Sequence, residues 1–114
     1  MQAFDVLGDP IRRRILELLA DGERSAGEIT SIVMDEFGIS QPGVSQHLRV
    51  LRESGFTSVR PLGARRLYAV EPVHLKEVDV WLDRFRELWQ ESYERLDEVL
   101  RDLQDKEERD GRKN

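Results

Sequence analysis

The side chains best suited to chemistry lie in the run Ser40-Gln41-Pro42-Gly43-Val44-Ser45-Gln46-His47-Leu48-Arg49. Val44, Leu48 and Leu51 recur at helical spacing. If they face inward, Gln46 and Arg49 face outward, with Pro42, Ser45 and Val50 beside them, Gln41 leading the first turn and His47 on a flank. Such a helix can read base edges in a major groove, where Arg pairs bidentately with guanine and Gln with adenine. It is not suited to nucleophilic catalysis. Ser45 and His47 lie about 200° apart around a helix, so the imidazole cannot activate the hydroxyl. The chain has no cysteine, which removes thiolate metal sites, redox pairs and cysteine nucleophiles. His74 with Asp79 and Asp83 is a poor transition-metal set, and His74 reads as a surface histidine at a helix start. With no glycine-rich phosphate loop either, no enzyme, metal or cofactor is expected.

Charge has to be read by position. The net charge is -5, from 18 basic and 23 acidic residues, which taken whole argues against a nucleic-acid partner. Residues 1–39, 40–70 and 71–114 carry -4, +4 and -5, so a basic middle lies between acidic ends. Arg60, Arg65 and Arg66 belong to that middle. They would contact phosphates or a narrow minor groove without necessarily reading sequence.

These residues must be held by helices and a hairpin. Asp9-Pro10 supplies a cap and a first-turn proline for a helix whose apolar face is Ile11, Ile15, Leu18 and Leu19, ending near Asp21-Gly22. Before it, Ala3, Phe4, Val6 and Leu7 form a separate short helix with an apolar side that needs a partner. Ser25 and Glu28 form a capping box for a helix from about Ala26 to Phe37, ended by Gly38. Ser40 caps the next, which closes at Glu53-Ser54-Gly55. Two helices joined by a short glycine-containing turn make a helix-turn-helix. Phe56–Arg60 and Arg66–Val70 then read as a β-hairpin around Pro61-Leu62-Gly63-Ala64, with Pro61 on an open edge or in the turn.

From Pro72 onward Leu75, Val78, Leu82, Phe85, Trp89, Leu96, Val99 and Leu103 alternate three and four apart, interrupted at Ser92, as in a heptad seam. Trp81, Leu88, Tyr93 and Leu100 widen the stripe, so it packs on its own domain and on a second subunit. Trp81 and Trp89, eight apart, could line a small-molecule pocket, but aromatic residues on such a stripe are usually core. Arg12-Arg13-Arg14 could touch phosphates or pair with this acidic helix, and the structural role is the one expected. The resulting organisation is one mainly α domain with a small β-hairpin over 1–106: helix-turn-helix 25–55, wing 56–70 and dimerisation helix 73–106. A frayed polar tail follows at 107–114.

The order of elements, with SxxxVSQHLxxLxxxG from Ser40 to Gly55 and a GxRRLY-like wing around Arg65 to Tyr68, resembles the ArsR/SmtB-type winged helix-turn-helix repressors over residues 3–100. The resemblance implies a homodimer whose first and last helices form the interface, through Phe4, Leu7, Val78, Leu82, Phe85, Trp89 and Leu96. It implies base contacts from Gln41, Ser45, Gln46, His47 and Arg49, wing contacts from Arg65 and Arg66, and repression at an inverted repeat. The metal-binding cysteines of many relatives are absent. The helix EITSIVMDEF is about one turn longer than usual, Gly43 replaces a better helix former, and Pro61 should shorten or bend the hairpin. The expected partners are double-stranded DNA and a second copy of the chain. No membrane segment and no signal peptide are read, so a cytoplasmic location is expected, and the sequence names no small-molecule effector. The competing reading is a helical dimerisation or adaptor module whose winged domain binds a protein.

Overall fold

The computed structural model describes residues 2–112, with side chains described for 3–111. The elements are α1 (Gln2–Leu7), α2 (Pro10–Ala20), β1 (Arg24–Ser25), α3 (Ala26–Phe37), α4 (Gln41–Glu53), β2 (Thr57–Leu62), β3 (Arg65–Val70) and α5 (Leu75–Arg112). They divide into two units, Met1–Asp79 and Val80–Asn114. Among the described residues no helix is long and apolar enough to cross a membrane.

In the first unit α2, α3 and α4 each start where a side chain can replace missing backbone partners. Asp9 Oδ1 accepts from the amides of Ile11 (2.8 Å) and Arg12 (3.1 Å), and Pro10 occupies the first helical turn. Ser25 Oγ accepts from the Glu28 amide at 3.1 Å and donates to Glu28 Oε1 at 3.2 Å. The Glu28 carboxylate therefore meets the cap hydroxyl. Ser40 Oγ accepts from the Gly43 amide at 3.3 Å. Gly38, at φ 66°, closes α3 in the left-handed conformation that favours glycine.

These starts set the inward faces. Ile15, Leu19, Ile29, Val33, Val44, Leu51 and Phe56 are all at most 2% exposed and form one core. Leu16 joins them, one position beyond the expected stripe on α2.

The arginine triplet Arg12-Arg13-Arg14 is structural, but its partners are not those of the acidic last helix. A six-residue helix such as α1 is too short to persist alone, and its last carbonyls have no helical partner. Arg12 donates to the carbonyls of Val6 and Asp5, each at 2.9 Å, and Arg13 to that of Leu7 at 2.6 Å. Arg14 forks onto Glu36 at 2.8 and 2.9 Å, tying α2 to α3.

The sheet has three strands in the order β1-β3-β2, one more than the expected hairpin. The added strand, β1, pairs Arg24 with Tyr68 and Ser25 with Leu67, so the cap of α3 is itself held in the sheet. Pro61 lies in the edge strand β2 opposite Arg66. An edge can lack a donor there, so the hairpin is not shortened: each strand has six residues around a Gly63-Ala64 turn.

His74 packs on the end of α4. Its ring lies 5.6 Å from that of Phe56, and a Cβ built on Gly55, at φ 80°, would come within 2.8 Å of its Nε2.

In the second unit, α5 exposes Leu88, Trp89, Tyr93, Leu96, Val99, Leu100 and Leu103. The Trp81 and Phe85 rings meet at a tilt of 50° with centroids 4.8 Å apart. The residues expected as a frayed tail from 107 are helical through Arg112, continuing α5 through the good helix formers Glu107, Glu108 and Arg109. Lys113 and Asn114 lie outside the described residues, as does Met1.

Candidate nucleic-acid interface

The surface of α4 is divided in two. Pro42, Ser45, Gln46 and Arg49 line an outward concavity. Gln41, Ser45, Arg49 and Arg52 line a second groove, shared with Thr30 and Ser31 of α3 and Arg66 of β3. Ser45 and Arg49 belong to both. The outward face matches the sequence expectation for Ser45, Gln46 and Arg49, all exposed. Gln41 is exposed too, but faces the groove side.

His47 does not join either face. It follows Val44 by three positions and turns toward α2, where its Nδ1 lies 3.9 Å from Asp9 Oδ1, too far for a hydrogen bond. The side chain is 21% exposed, and Nδ1 is buried without a hydrogen-bond partner among the described residues. His47, expected among the base contacts, thus packs half-buried beside the cap of α2. Burial raises the Asp9 pKa, but the amides of Arg12 and Ile11, with the charges of His47 and Arg12, hold it below the ordinary carboxylate value.

The arginines sort by whether they are already occupied. Arg60, expected in the basic wing, forks onto Glu23 at 2.8 to 3.3 Å, and this hydrogen-bonded pair holds the Glu23 carboxyl below its usual range. Its charge is matched before any ligand arrives. Arg24 donates to the Leu18 carbonyl. Arg49 has only a loose pair with Glu53 at 4.0 Å, both side chains well exposed. Arg52, Arg65 and Arg66 have no hydrogen bond or ion pair from their side chains among the described residues, and all three are exposed. Arg65 and Arg66 follow the Gly63-Ala64 turn, as expected. Arg52 was missed, although it follows Ser45 by seven positions and Gln41 by eleven, which puts it on their face of the helix.

The residues expected at a dimer interface fall into three groups. Leu7 and Val78 are half-buried against their own core. Phe4 is 37% exposed, and Trp89 and Leu96 are about half exposed. Leu82 and Phe85 are intermediate. Among the described residues, no three His, Asp or Glu side chains gather closely enough to hold a metal ion.

The model of the arsR family of bacterial regulatory proteins matches residues 9–59, from the cap of α2 into β2. An HTH-type transcriptional regulator of Mycobacterium tuberculosis is 39% identical over 84 residues, 74% of this chain and 75% of its own length. The transcriptional repressor SdpR of Bacillus subtilis is 33% identical over 82 residues, 72% of this chain and 87% of its own. The solution structure of a homodimeric winged helix-turn-helix DNA-binding domain from Mycobacterium bovis superposes with a TM-score of 0.57 at 27% identity, covering 76% of this chain and 79% of that one. A capped helix pair, a recognition-type α4 with an outward concavity lined by no acidic residue and a two-residue wing turn agree with that match, and the chain belongs to the ArsR family of winged helix-turn-helix regulators.

Proposed function

We propose that this chain is a transcriptional repressor that binds duplex DNA as a homodimer, with α4 in the major groove and the β2–β3 hairpin beside it. One observation carries the reading: the exposed concavity lined by Pro42, Ser45, Gln46 and Arg49 has no acidic lining residue, in a chain with 23 of them, and the first acid on that side of α4 is Glu53, one turn beyond Arg49. Ser45, Gln46 and Arg49 are the base readers, and Arg65 and Arg66 contact the backbone from the wing. Such a protein works in the cytoplasm, where bacterial DNA is, and needs no catalytic group.

A second copy covers α5. In heptad terms Leu82, Trp89, Leu96 and Leu103 take one seam position and Phe85, Ser92 and Val99 the other. A parallel pair would stack Trp89 on its own copy, oppose Lys106 to Lys106 and bring Asp102 beside the partner's Glu107. An antiparallel pair centred between Trp89 and Ser92 instead sets Leu82 against the partner's Val99, Phe85 against the partner's Leu96, and Trp89 against the partner's Ser92. The largest seam side chain then meets the smallest, and the like charges separate. We therefore assign the antiparallel arrangement.

The test is a titration against the DNA upstream of the chain's own gene at two salt concentrations. A dimer making about 6–10 phosphate contacts loses roughly 10³–10⁵ in affinity between about 50 and 200 mM salt. An adaptor held by an apolar helix contact would barely respond, and that result would reject the repressor reading. Arg49→Ala should cost about 1–3 kcal/mol at one base pair of the preferred site while leaving unrelated DNA nearly unaffected.

A further inference from the structure

The groove between α3, α4 and β3 has a composition that the base-reading face does not explain. It is about 680 Å³, with the buried Leu48 and Tyr68 at its base and the Arg52 and Arg66 side chains among its walls. No lining residue is acidic. Hydroxyls of Thr30, Ser31 and Ser45 and the amide of Gln41 complete a set that can donate hydrogen bonds to an anion. The two arginines come from different elements, the last turn of α4 and the start of β3. Among the described residues neither has an internal partner. Arg60 and Arg24, by contrast, are satisfied by Glu23 and the Leu18 carbonyl.

We propose that this groove seats the sugar–phosphate backbone of one DNA strand, with Arg52 and Arg66 donating to its phosphates, and that Arg60 carries no phosphate. The assignment rests on the DNA-binding reading above. A backbone strand is favoured over a small anion because the groove is continuous with the base-reading face: Ser45 and Arg49 line both. A helix whose outer residues touch base edges has a phosphate strand along its flank, and the flank here is the one with free cations. Guanidinium groups suit that role because their forked donors match two phosphate oxygens.

The experiment measures affinity by fluorescence anisotropy for a duplex of roughly 30 base pairs and arbitrary sequence, across a salt series, for wild type, Arg52→Ala, Arg66→Ala, Arg52→Lys and Arg60→Ala. Each protomer loses one contact, so in the dimer the slope of log affinity against log salt should fall by about 1.8 for either Arg52→Ala or Arg66→Ala. Between about 50 and 200 mM salt the affinity loss should then shrink roughly twelvefold. Arg52→Lys should keep most of the slope, and Arg60→Ala should leave it unchanged. A wild-type slope in Arg52→Ala or Arg66→Ala overturns the proposal while leaving DNA binding standing. Wild-type protein with no salt-dependent duplex binding overturns the DNA-binding reading itself. Inorganic phosphate at constant ionic strength should not raise the melting temperature. A rise abolished by Arg52→Ala would assign the groove to a free anion and overturn the backbone assignment.

Discussion

Replacing Trp89 by alanine tests the α5 seam where the energy is concentrated. Trp89 is 48% exposed within its own chain. A tryptophan can bury up to about 250 Å², so about 120 Å² is left for a partner to cover. At about 25 cal/mol per Å², full coverage is worth about 3 kcal/mol per protomer and about 6 kcal/mol for the symmetric pair. Coverage of half that area still leaves about 3 kcal/mol, so the dimer dissociation constant should rise at least roughly 100-fold. Sedimentation equilibrium over a range of protein concentrations measures it, with the circular dichroism helix signal as a check that the chain still folds. DNA affinity should fall in step, because paired half-sites require paired recognition helices. Arg101→Ala, on the side of α5 away from the seam, should leave the dissociation constant unchanged. A Trp89→Ala protein that dimerises as tightly as wild type would refute the assignment of this stripe to a second copy.

Other expectations follow from particular contacts. Because the chain lacks cysteine, Leu82→Cys combined with Val99→Cys should form an intersubunit disulfide under oxidation while neither single variant does; cross-linking of the Leu82→Cys single variant would mean a parallel pair instead. Asp9→Ala removes the cap of α2 and should cost about 1 kcal/mol, lowering the melting temperature by about 4–8 °C, whereas Asp9→Asn should keep most of the stability; no change in Asp9→Ala would show the cap to be idle. Arg14 holds the Glu36 carboxyl below its ordinary value of 4.5, chiefly through their hydrogen bond, so this stabilisation is present above that value and is lost as pH falls through the lower folded value. Glu36→Gln should therefore lose less stability to denaturant than wild type between about pH 6 and pH 3, and an equal loss in both would remove the pair from the account.

What the sequence made legible was local. The helix starts at Asp9-Pro10, Ser25 and Ser40 could be read because a cap needs only residues within three positions of itself, and the core faces followed from those starts. The same locality hid the rest. β1 is two residues long and shows no alternation, and it exists only because β3 lies beside it. Arg60 and Glu23 stand 37 positions apart, and Arg14 and Glu36 22 apart, so no periodicity joins them. His47 was placed on a flank correctly, but whether a flank faces DNA or Asp9 depends on where α2 packs. Arg52 is the exception among the omissions, since helical spacing from Gln41 and Ser45 already put it on their face.

The distribution of satisfied and unsatisfied arginines resolves how an acidic protein can hold DNA. Arg14 and Arg60 are offset by the carboxylates they bond, while Arg12, Arg13 and Arg24 keep their charge but spend donors on carbonyls of their own unit. Of the arginines before α5, Arg49, Arg52, Arg65 and Arg66 remain, and all belong to α4 or to the strand after the wing turn. At physiological salt the screening length is about 8 Å, so a phosphate at this face senses the cations within that distance more than the net charge of the chain. At about 0.01 M salt the screening length grows to about 30 Å and the whole negative chain repels the duplex. Association should therefore gain less from low salt than it would for a basic protein with the same contacts. Counterion release at Arg52, Arg65 and Arg66 then appears mainly as slower dissociation, and the net charge sets orientation and encounter while the free cations set retention.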